Sequence, residues 1–117
     1  MKKPKILLVD DEELVLNALE RSLRKEGYKL ICLKSAQEAL EYLKNQDVDL
    51  IISDHRMPRE TGLELLIKAR KFYPDIVRIL LTGHADLEVA IKAINEGKLY
   101  RFITKPWDDE ELRINIR

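Results

Sequence analysis

The sequence contains few cysteines, glycines, prolines and aromatic residues, and it has no excess of charge of either sign. Its single cysteine, Cys32, cannot close an intrachain disulfide, and a reducing cytoplasm is therefore the expected compartment. Only 4 glycines and 4 prolines occur, which excludes collagen-like and low-complexity chains. Because 21 lysines and arginines balance 21 acidic residues, no net charge favours direct binding of nucleic acid or an anionic membrane.

Long apolar runs are also missing. No run approaches the ~18 residues that a membrane span requires, and the stretch Ile6 to Val9 is too short for a signal peptide. With 117 residues and 45% hydrophobic content, we expect one compact domain covering 1–117. The last segment, Asp108 to Arg117, begins like a helix capped by Asp108 but contains no stop signal. We therefore expect this domain to be the N-terminal part of a longer protein.

Short apolar runs recur along the chain and have the length and branching of β-strands. The first and third runs show no polar alternation, which is typical of parallel strands covered on both faces. The five runs are Ile6 to Val9, Leu30 to Leu33, Leu50 to Ile52, Ile76 to Leu81 and Tyr100 to Ile103.

The segments between these runs have helical spacing of apolar residues. Ser35 precedes Glu38 by three positions and Thr61 precedes Glu64 likewise, which is the capping-box pattern at a helix start. Alternating strands and helices predict an α/β fold with helices on both faces of one open parallel sheet. The predicted stripes are Val15, Leu19 and Leu23; Ala36, Ala39, Leu40 and Leu43; Leu63, Leu66 and Ile67; and Leu87, Ala90, Ile91 and Ile94.

Polar residues gather where the strands end, and in open parallel sheets ligands bind at that edge. If strands one and three are neighbours, the carboxylates of Asp10, Asp11 and Asp54 converge. Two such charges about 4 Å apart repel by roughly 4 kcal/mol at an effective dielectric near 20, so a cation is required. Carboxylate oxygens with open positions suit Mg²⁺ and phosphate chemistry. Lys105 and the Thr82 hydroxyl, at the ends of later strands, are suited to contact phosphoryl oxygens.

Four motifs at these strand ends resemble the receiver domain of two-component response regulators. They are VDDEE after strand one, SDHRMPRETG around Asp54, LLTG at Thr82 and FITKPW at Lys105. The resemblance covers nearly the whole chain. It implies a flavodoxin-like, CheY-like fold with strand order 2-1-3-4-5 and five helices. It also implies a phosphoacceptor that is not itself an enzyme, since any true enzyme activity would lie in an output domain.

By this resemblance each motif residue has an expected role. Asp54 is the phosphoacceptor, which attacks the phosphohistidine of a sensor histidine kinase or phosphotransfer protein. Asp11, Asp54 and the backbone carbonyl of Arg56 bind Mg²⁺, and Asp10 binds it through water. Thr82 and Phe102 form the switch, Lys105 binds the phosphoryl group, and the Lys105 to Pro106 bond is often cis in the family.

Other positions concern lifetime and output. Arg56 and His84 occupy positions that tune the loss of the phosphoryl group in this family. Helix four, strand five and helix five form the expected surface for an output domain, an effector protein or a homodimer partner. The stretch NEGKLYRFITKPW resembles receivers attached to HD-GYP phosphodiesterases or other enzymatic outputs.

Several other interpretations compete. The acids Asp10 to Glu13 are also favourable at a helix N-terminus, although this does not explain Asp54. A flavin or dinucleotide binder would present glycines or hydroxyls rather than acids after strand one. An aspartyl-phosphate phosphohydrolase would place its nucleophile there, within a D-x-D pattern. The last alternative is a receiver-like interaction module that is not phosphorylated. Cys32 is expected to be a small buried hydrophobe.

Overall fold

A computed structural model describes residues 3–116, and its centre is a five-stranded parallel sheet. The strands are ordered β2-β1-β3-β4-β5, which confirms the order that the resemblance implies. Because every strand runs the same way, all five carboxyl ends lie at one edge of the sheet. The strands are β1 (Lys5–Val9), β2 (Lys29–Leu33), β3 (Leu50–Asp54), β4 (Val77–Thr82) and β5 (Arg101–Thr104).

Five helices cover the two faces of this sheet. The helices are α1 (Glu13–Leu23), α2 (Ala36–Asn45), α3 (Gly62–Phe72), α4 (Leu87–Asn95) and α5 (Asp109–Ile116). Buried side chains of α2, α3 and α4 pack in one core and those of α1 and α5 in a second. The buried residues Ile6 to Val9 of β1 and Leu50 to Ile52 of β3 contribute alternately to each core, which explains the uninterrupted apolar runs.

The local signals in the sequence produce the expected helix starts. Ser35 accepts a hydrogen bond from the Glu38 backbone N–H, and Thr61 and Glu64 form the complete reciprocal capping box. At the last helix, the Asp108 carboxylate accepts from the Glu110 backbone N–H at 3.2 Å. These hydrogen bonds satisfy backbone donors that have no partner inside the helices.

The predicted helical stripes are only partly correct. In α3 the buried side chains are those of Leu65, Leu66 and Ala69, whereas Ile67 is exposed. In α4 the buried residues are Ala90 and Ala93, whereas Ile91 and Ile94 are exposed. The small alanines allow α4 to lie close to the sheet, and its larger apolar side chains therefore point away from the core.

The interpretation of Cys32 as a buried residue needs correction. Its strand, β2, lies at the edge of the sheet, and Cys32 is only half-buried as a result. Burial and then the nearby Glu20 carboxylate raise the pKa of its thiol to about 11, which leaves it protonated. Within 3–116, no helix has the length and apolar character needed to cross a membrane.

Candidate functional site

The sheet brings the polar residues at its strand ends to one edge. β1 and β3 pair in parallel, with Val9 opposite Ser53, so the residues that follow them lie side by side. β3 also pairs with β4, and β4 pairs with β5 with Thr82 opposite Thr104. The Lys105 backbone N–H then donates to the Thr82 carbonyl at 2.8 Å. Residues that are far apart in sequence therefore form one continuous site.

An ion pair occupies the centre of this edge. Lys105 Nζ lies 2.6 Å from Asp54 Oδ1 and 4.0 Å from Asp10 Oδ2. Asp54 is 3% exposed and Asp10 is fully buried, so both carboxylates are largely removed from water. Burial lowers the pKa of Lys105, but the hydrogen bond and charge of Asp54 outweigh it and leave that pKa raised. Lys105 therefore remains a cation beside the two acids.

Asp10 is the least compensated charge at the site. Its Oδ1 accepts a hydrogen bond from the Glu12 backbone N–H at 2.9 Å, while its buried Oδ2 has no hydrogen-bond partner among the described residues. Burial raises the pKa of Asp10 to about 6, against the lowering effect of the Glu12 N–H; the nearby Asp54 charge raises it further. A cation near Oδ2 would relieve this energetic cost.

The acidic residues after β1 fit a divalent metal ion. Carboxylate oxygens of Asp10, Asp11 and Glu12 lie within 4.8 Å of one another, with Asp10 buried and the other two exposed. Hard oxygen donors with one open, solvent-facing side match the preference of Mg²⁺. Asp54 is close enough to the Asp10, Asp11 and Glu12 cluster for its charge to raise the pKa of Asp10. Glu12 was not among the ligands predicted from the sequence.

The helix-dipole interpretation explains only part of this acidic run. Glu13 begins α1 and Glu12 is its N-cap residue, where a negative charge is favourable. Asp10 lies before the helix and is fully buried. A favourable interaction with the helix dipole would not require such burial. The burial of Asp10 therefore needs a different explanation from the charges of Glu12 and Glu13.

The two residues expected to form a switch lie on neighbouring strands. Thr82 is fully buried, and its hydroxyl donates to the Gly83 carbonyl at 3.2 Å. Phe102 is half-buried and packs against the core under α2, α3 and α4. In the strand register Phe102 lies opposite Leu80, two residues before Thr82 on the same face. The peptide bond from Lys105 to Pro106 is cis, as the resemblance implied.

Arg56 forms a contact that sequence analysis missed. Its Nε and Nη2 donate to the two carboxylate oxygens of Asp86, at 2.7 and 3.3 Å. This pair joins the loop after β3 to the start of α4, and the Arg56 hydrogen bond lowers the pKa of Asp86. His84 lies exposed in the short 3-10 turn between β4 and α4. A pairing across 30 residues leaves no local signal in the sequence.

Gly62 is a second residue whose role was missed. It is the first residue of α3, and its backbone N–H donates to the His55 carbonyl at 2.9 Å. A Cβ atom added there would lie 1.9 Å from the Asp54 backbone oxygen, which is a severe clash. The available signal was glycine at the start of a helix, where alanine is otherwise preferred. Gly62 thus allows α3 to approach the backbone of Asp54.

Comparison with known proteins identifies the family. Residues 6–117 match the response regulator receiver domain. The chain is 40% identical over 116 residues to the hydrogenase transcriptional regulatory protein HoxA of Cupriavidus necator, an alignment that covers 99% of this chain and 24% of HoxA. The chain thus spans about a quarter of the length of the curated relatives that it matches.

Solved structures agree with this match. The signal receiver domain of an HD domain-containing protein from Pseudomonas fluorescens is 44% identical with a TM-score of 0.91, covering 100% of this chain and 86% of that one. A response regulator receiver domain from Clostridium thermocellum is 34% identical with a TM-score of 0.87, covering 97% and 90%. The chain therefore belongs to the receiver domains of two-component response regulators, a family in which a phosphoacceptor role is typical and the domain is not itself an enzyme.

Proposed function

We propose that Asp54 of this receiver accepts a phosphoryl group from the phosphohistidine of a sensor histidine kinase or phosphotransfer protein in the cytoplasm. The observation that carries the proposal is the Lys105 ion pair at 2.6 Å with a carboxylate that is 3% exposed. A buried acid beside a fixed cation is prepared for a reaction that adds negative charge at that point.

The transfer requires an in-line displacement at phosphorus. A carboxylate oxygen of Asp54 forms the new O–P bond while the N–P bond of the phosphohistidine breaks, and the electron pair of that bond returns to the imidazole. Lys105 stabilises the charge on the phosphoryl oxygens from β5. Water later attacks the acyl phosphate and restores the Asp54 carboxylate together with inorganic phosphate. The domain therefore hydrolyses only its own modification.

Asp10, Asp11, Asp54 and the Arg56 carbonyl are the proposed ligands of Mg²⁺. The buried Oδ2 of Asp10, which has no hydrogen-bond partner within the described part of the chain, and the neighbouring carboxylates support this assignment. When bound, the ion supplies charge neutralisation for the phosphoryl oxygens. By the family resemblance, Asp11, Asp54 and the Arg56 carbonyl would bind the ion directly, and Asp10 would hold it through water.

Phosphorylation is then converted into a change of packing. The added phosphoryl oxygens attract the Thr82 hydroxyl, which exchanges its bond to the Gly83 carbonyl for one to the phosphoryl group. Phe102 moves into the space that Thr82 leaves. The surface formed by α4, β5 and α5 reports this change to an output domain, an effector or a second copy of the chain.

The lifetime of the acyl phosphate is proposed to depend on Arg56 and His84. Arg56 is 72% exposed in its side chain, is held by Asp86 and interacts through its charge with Asp54. His84 begins the turn that carries Asp86 and lies two residues beyond Thr82. Both side chains are bulky and close to the mouth of the site.

The type of output domain that this receiver controls is a separate proposal. We propose that the domain acts joined to an enzymatic output of the HD-GYP type, on the resemblance of the stretch NEGKLYRFITKPW. A structural relative is the receiver of an HD domain-containing protein, whereas HoxA is a transcriptional regulator. Measuring cyclic dinucleotide hydrolysis and promoter binding by the full-length protein distinguishes these two outputs.

The central experiment is incubation of the protein with Mg²⁺ and acetyl phosphate, followed by intact mass and peptide mapping. We expect one added phosphoryl group on Asp54, which Asp54→Asn and a chelator abolish. Asp47→Asn, at an exposed position between α2 and β3, is the matched control and keeps the modification. An adduct on Asp10 would instead indicate the phosphohydrolase alternative, and no adduct would indicate an unphosphorylated interaction module.

A further inference from the structure

A second concentration of charge lies at the opposite end of β4 from Thr82. A surface cavity of about 460 Å³ lies between the C-terminal ends of α3 and α4 and the loop that leads into β5. Arg70 of α3 and Arg78 of β4 line this cavity, and no acidic side chain of residues 3–116 lines it with them. Its volume falls within the range of small-molecule sites.

Arg78 is the unusual residue of this cavity. It is half-buried near the start of β4, between apolar neighbours, and its Nη1 is buried without a hydrogen-bond partner among the described residues. Burial, and then the like charge of Arg70, lower the pKa of its guanidinium. Buried polar groups are nearly always hydrogen-bonded, so this nitrogen is available to an acceptor from outside residues 3–116.

The remaining basic groups of the cavity differ from Arg78. Arg70 donates from Nη1 to the Gly97 carbonyl, which fixes one side of its guanidinium at the cavity wall. Lys98 is already paired with Glu96 at 3.2 Å. The two arginines, rather than the lysine, therefore supply the uncompensated positive charge.

The other walls of the cavity are apolar or aromatic. Ile94 is 36% exposed at the end of α4, Leu99 is buried, and Tyr100 is 81% exposed. A bare inorganic anion would use the arginines but leave these walls without a partner. A ligand with a charged end and an apolar body would use both.

We propose that this cavity binds a small oxyanion carried on an aromatic or apolar body, with Arg70 and Arg78 holding the anionic group. The planar guanidinium presents a fork of N–H donors that matches a phosphate monoester or a carboxylate. Ile94, Leu99 and Tyr100 contact the body of the ligand. The site lies at the far end of β4 from Thr82 and does not depend on phosphorylation of Asp54.

The test uses phenyl phosphate, benzoate, inorganic phosphate and benzyl alcohol, each titrated into the chelator-treated protein and followed by backbone amide NMR. We expect saturable shifts at 78 and 97–100 with an aryl oxyanion and none with benzyl alcohol. Tighter binding of phenyl phosphate identifies a phosphate ligand, and tighter binding of benzoate identifies a carboxylate. Inorganic phosphate binds more weakly than the preferred aryl ligand if the apolar walls contribute.

Variants separate a built site from general attraction to positive charge. We expect Arg78→Met and Arg70→Met each to weaken binding at least about tenfold, a change worth 1.4 kcal/mol. Arg24→Met, at an exposed position in the turn after α1, removes the same charge and leaves affinity unchanged. Equal weakening by Arg24→Met, shifts spread over all basic surfaces, or shifts confined to residues near Lys105 would each overturn the proposal.

Discussion

The two ends of β4 carry excess charge of opposite sign. At the Thr82 end, two buried carboxylates share one lysine on the neighbouring strand, and the local excess of charge is negative. At the Arg78 end, two arginines meet without a carboxylate among the residues that line their cavity. Removing a cation should therefore have opposite effects on stability at the two ends, because only one end has acids that depend on it.

The largest effect is expected for Lys105→Met. The substitution leaves Asp54 and Asp10 buried without a cation, so the free energy of unfolding should fall by about 3 kcal/mol without metal at pH 7. Urea denaturation monitored by circular dichroism measures this change. Unchanged stability would show that the lysine contributes nothing to the acid cluster in the folded protein.

Gly62→Ala tests the backbone rather than the charges at the Thr82 end. The added methyl group meets the Asp54 carbonyl oxygen at 1.9 Å, and we expect a loss of about 2 kcal/mol with slower phosphorylation. Gly83→Ala is the matched control, since a Cβ there meets nothing within 4 Å and the φ of −82° suits alanine. Equal losses in both variants would contradict the proposed close approach.

Asp10→Asn should stabilise the metal-free protein by about 2 kcal/mol at pH 7. A pKa raised from 3.8 to about 6 means that the folded state binds the proton more tightly, so parent stability falls as pH rises between these values. The variant should lose this part of the pH dependence, and Mg²⁺ should stabilise it less than the parent. Equal stabilisation by Mg²⁺ would remove Asp10 from the ligand set. Thermal unfolding with and without chelator makes the measurement.

Arg78→Met removes a cation at the opposite end of β4 from Thr82. It removes a buried, unpartnered donor and supplies an apolar side chain of similar length, so stability should rise by about 1 kcal/mol. The same replacement of a cation by methionine thus has opposite signs at the two ends of β4. A destabilised Arg78→Met would show that the arginine is satisfied in solution.

The smallest effect concerns the lifetime of the acyl phosphate. Arg56→Ala and His84→Ala should each change the rate of dephosphorylation severalfold with little change in stability, because both side chains are exposed. Asp86→Ala, which frees Arg56 without removing it, separates the position of the guanidinium from its presence. Rates that match the parent in both alanine variants would remove the proposed lifetime role. The decay of phosphorylated protein after rapid desalting from acetyl phosphate into buffer with Mg²⁺ gives these rates.

Sequence analysis was most successful where a local pattern has one structural meaning. The apolar runs predicted all five strands, and the Thr61 to Glu64 spacing predicted the start of α3. It was less successful on helix faces, because Ile91 and Ile94 have the right spacing for the core but lose that place to the smaller alanines of α4. Helical spacing alone does not decide how closely a helix approaches the sheet.

The sequence by itself determined the alternation of strands and helices, and with it the collection of Asp10, Asp54, Thr82 and Lys105 at one edge, since parallel strands leave their carboxyl ends together. Only the tertiary structure decided how these charges are balanced. The Arg56 to Asp86 pair, the close approach at Gly62 and the Arg78 Nη1 without a partner in residues 3–116 each depend on distances between elements far apart in sequence. Burial and interatomic distance set the energy of a charge, and neither exists until the elements pack.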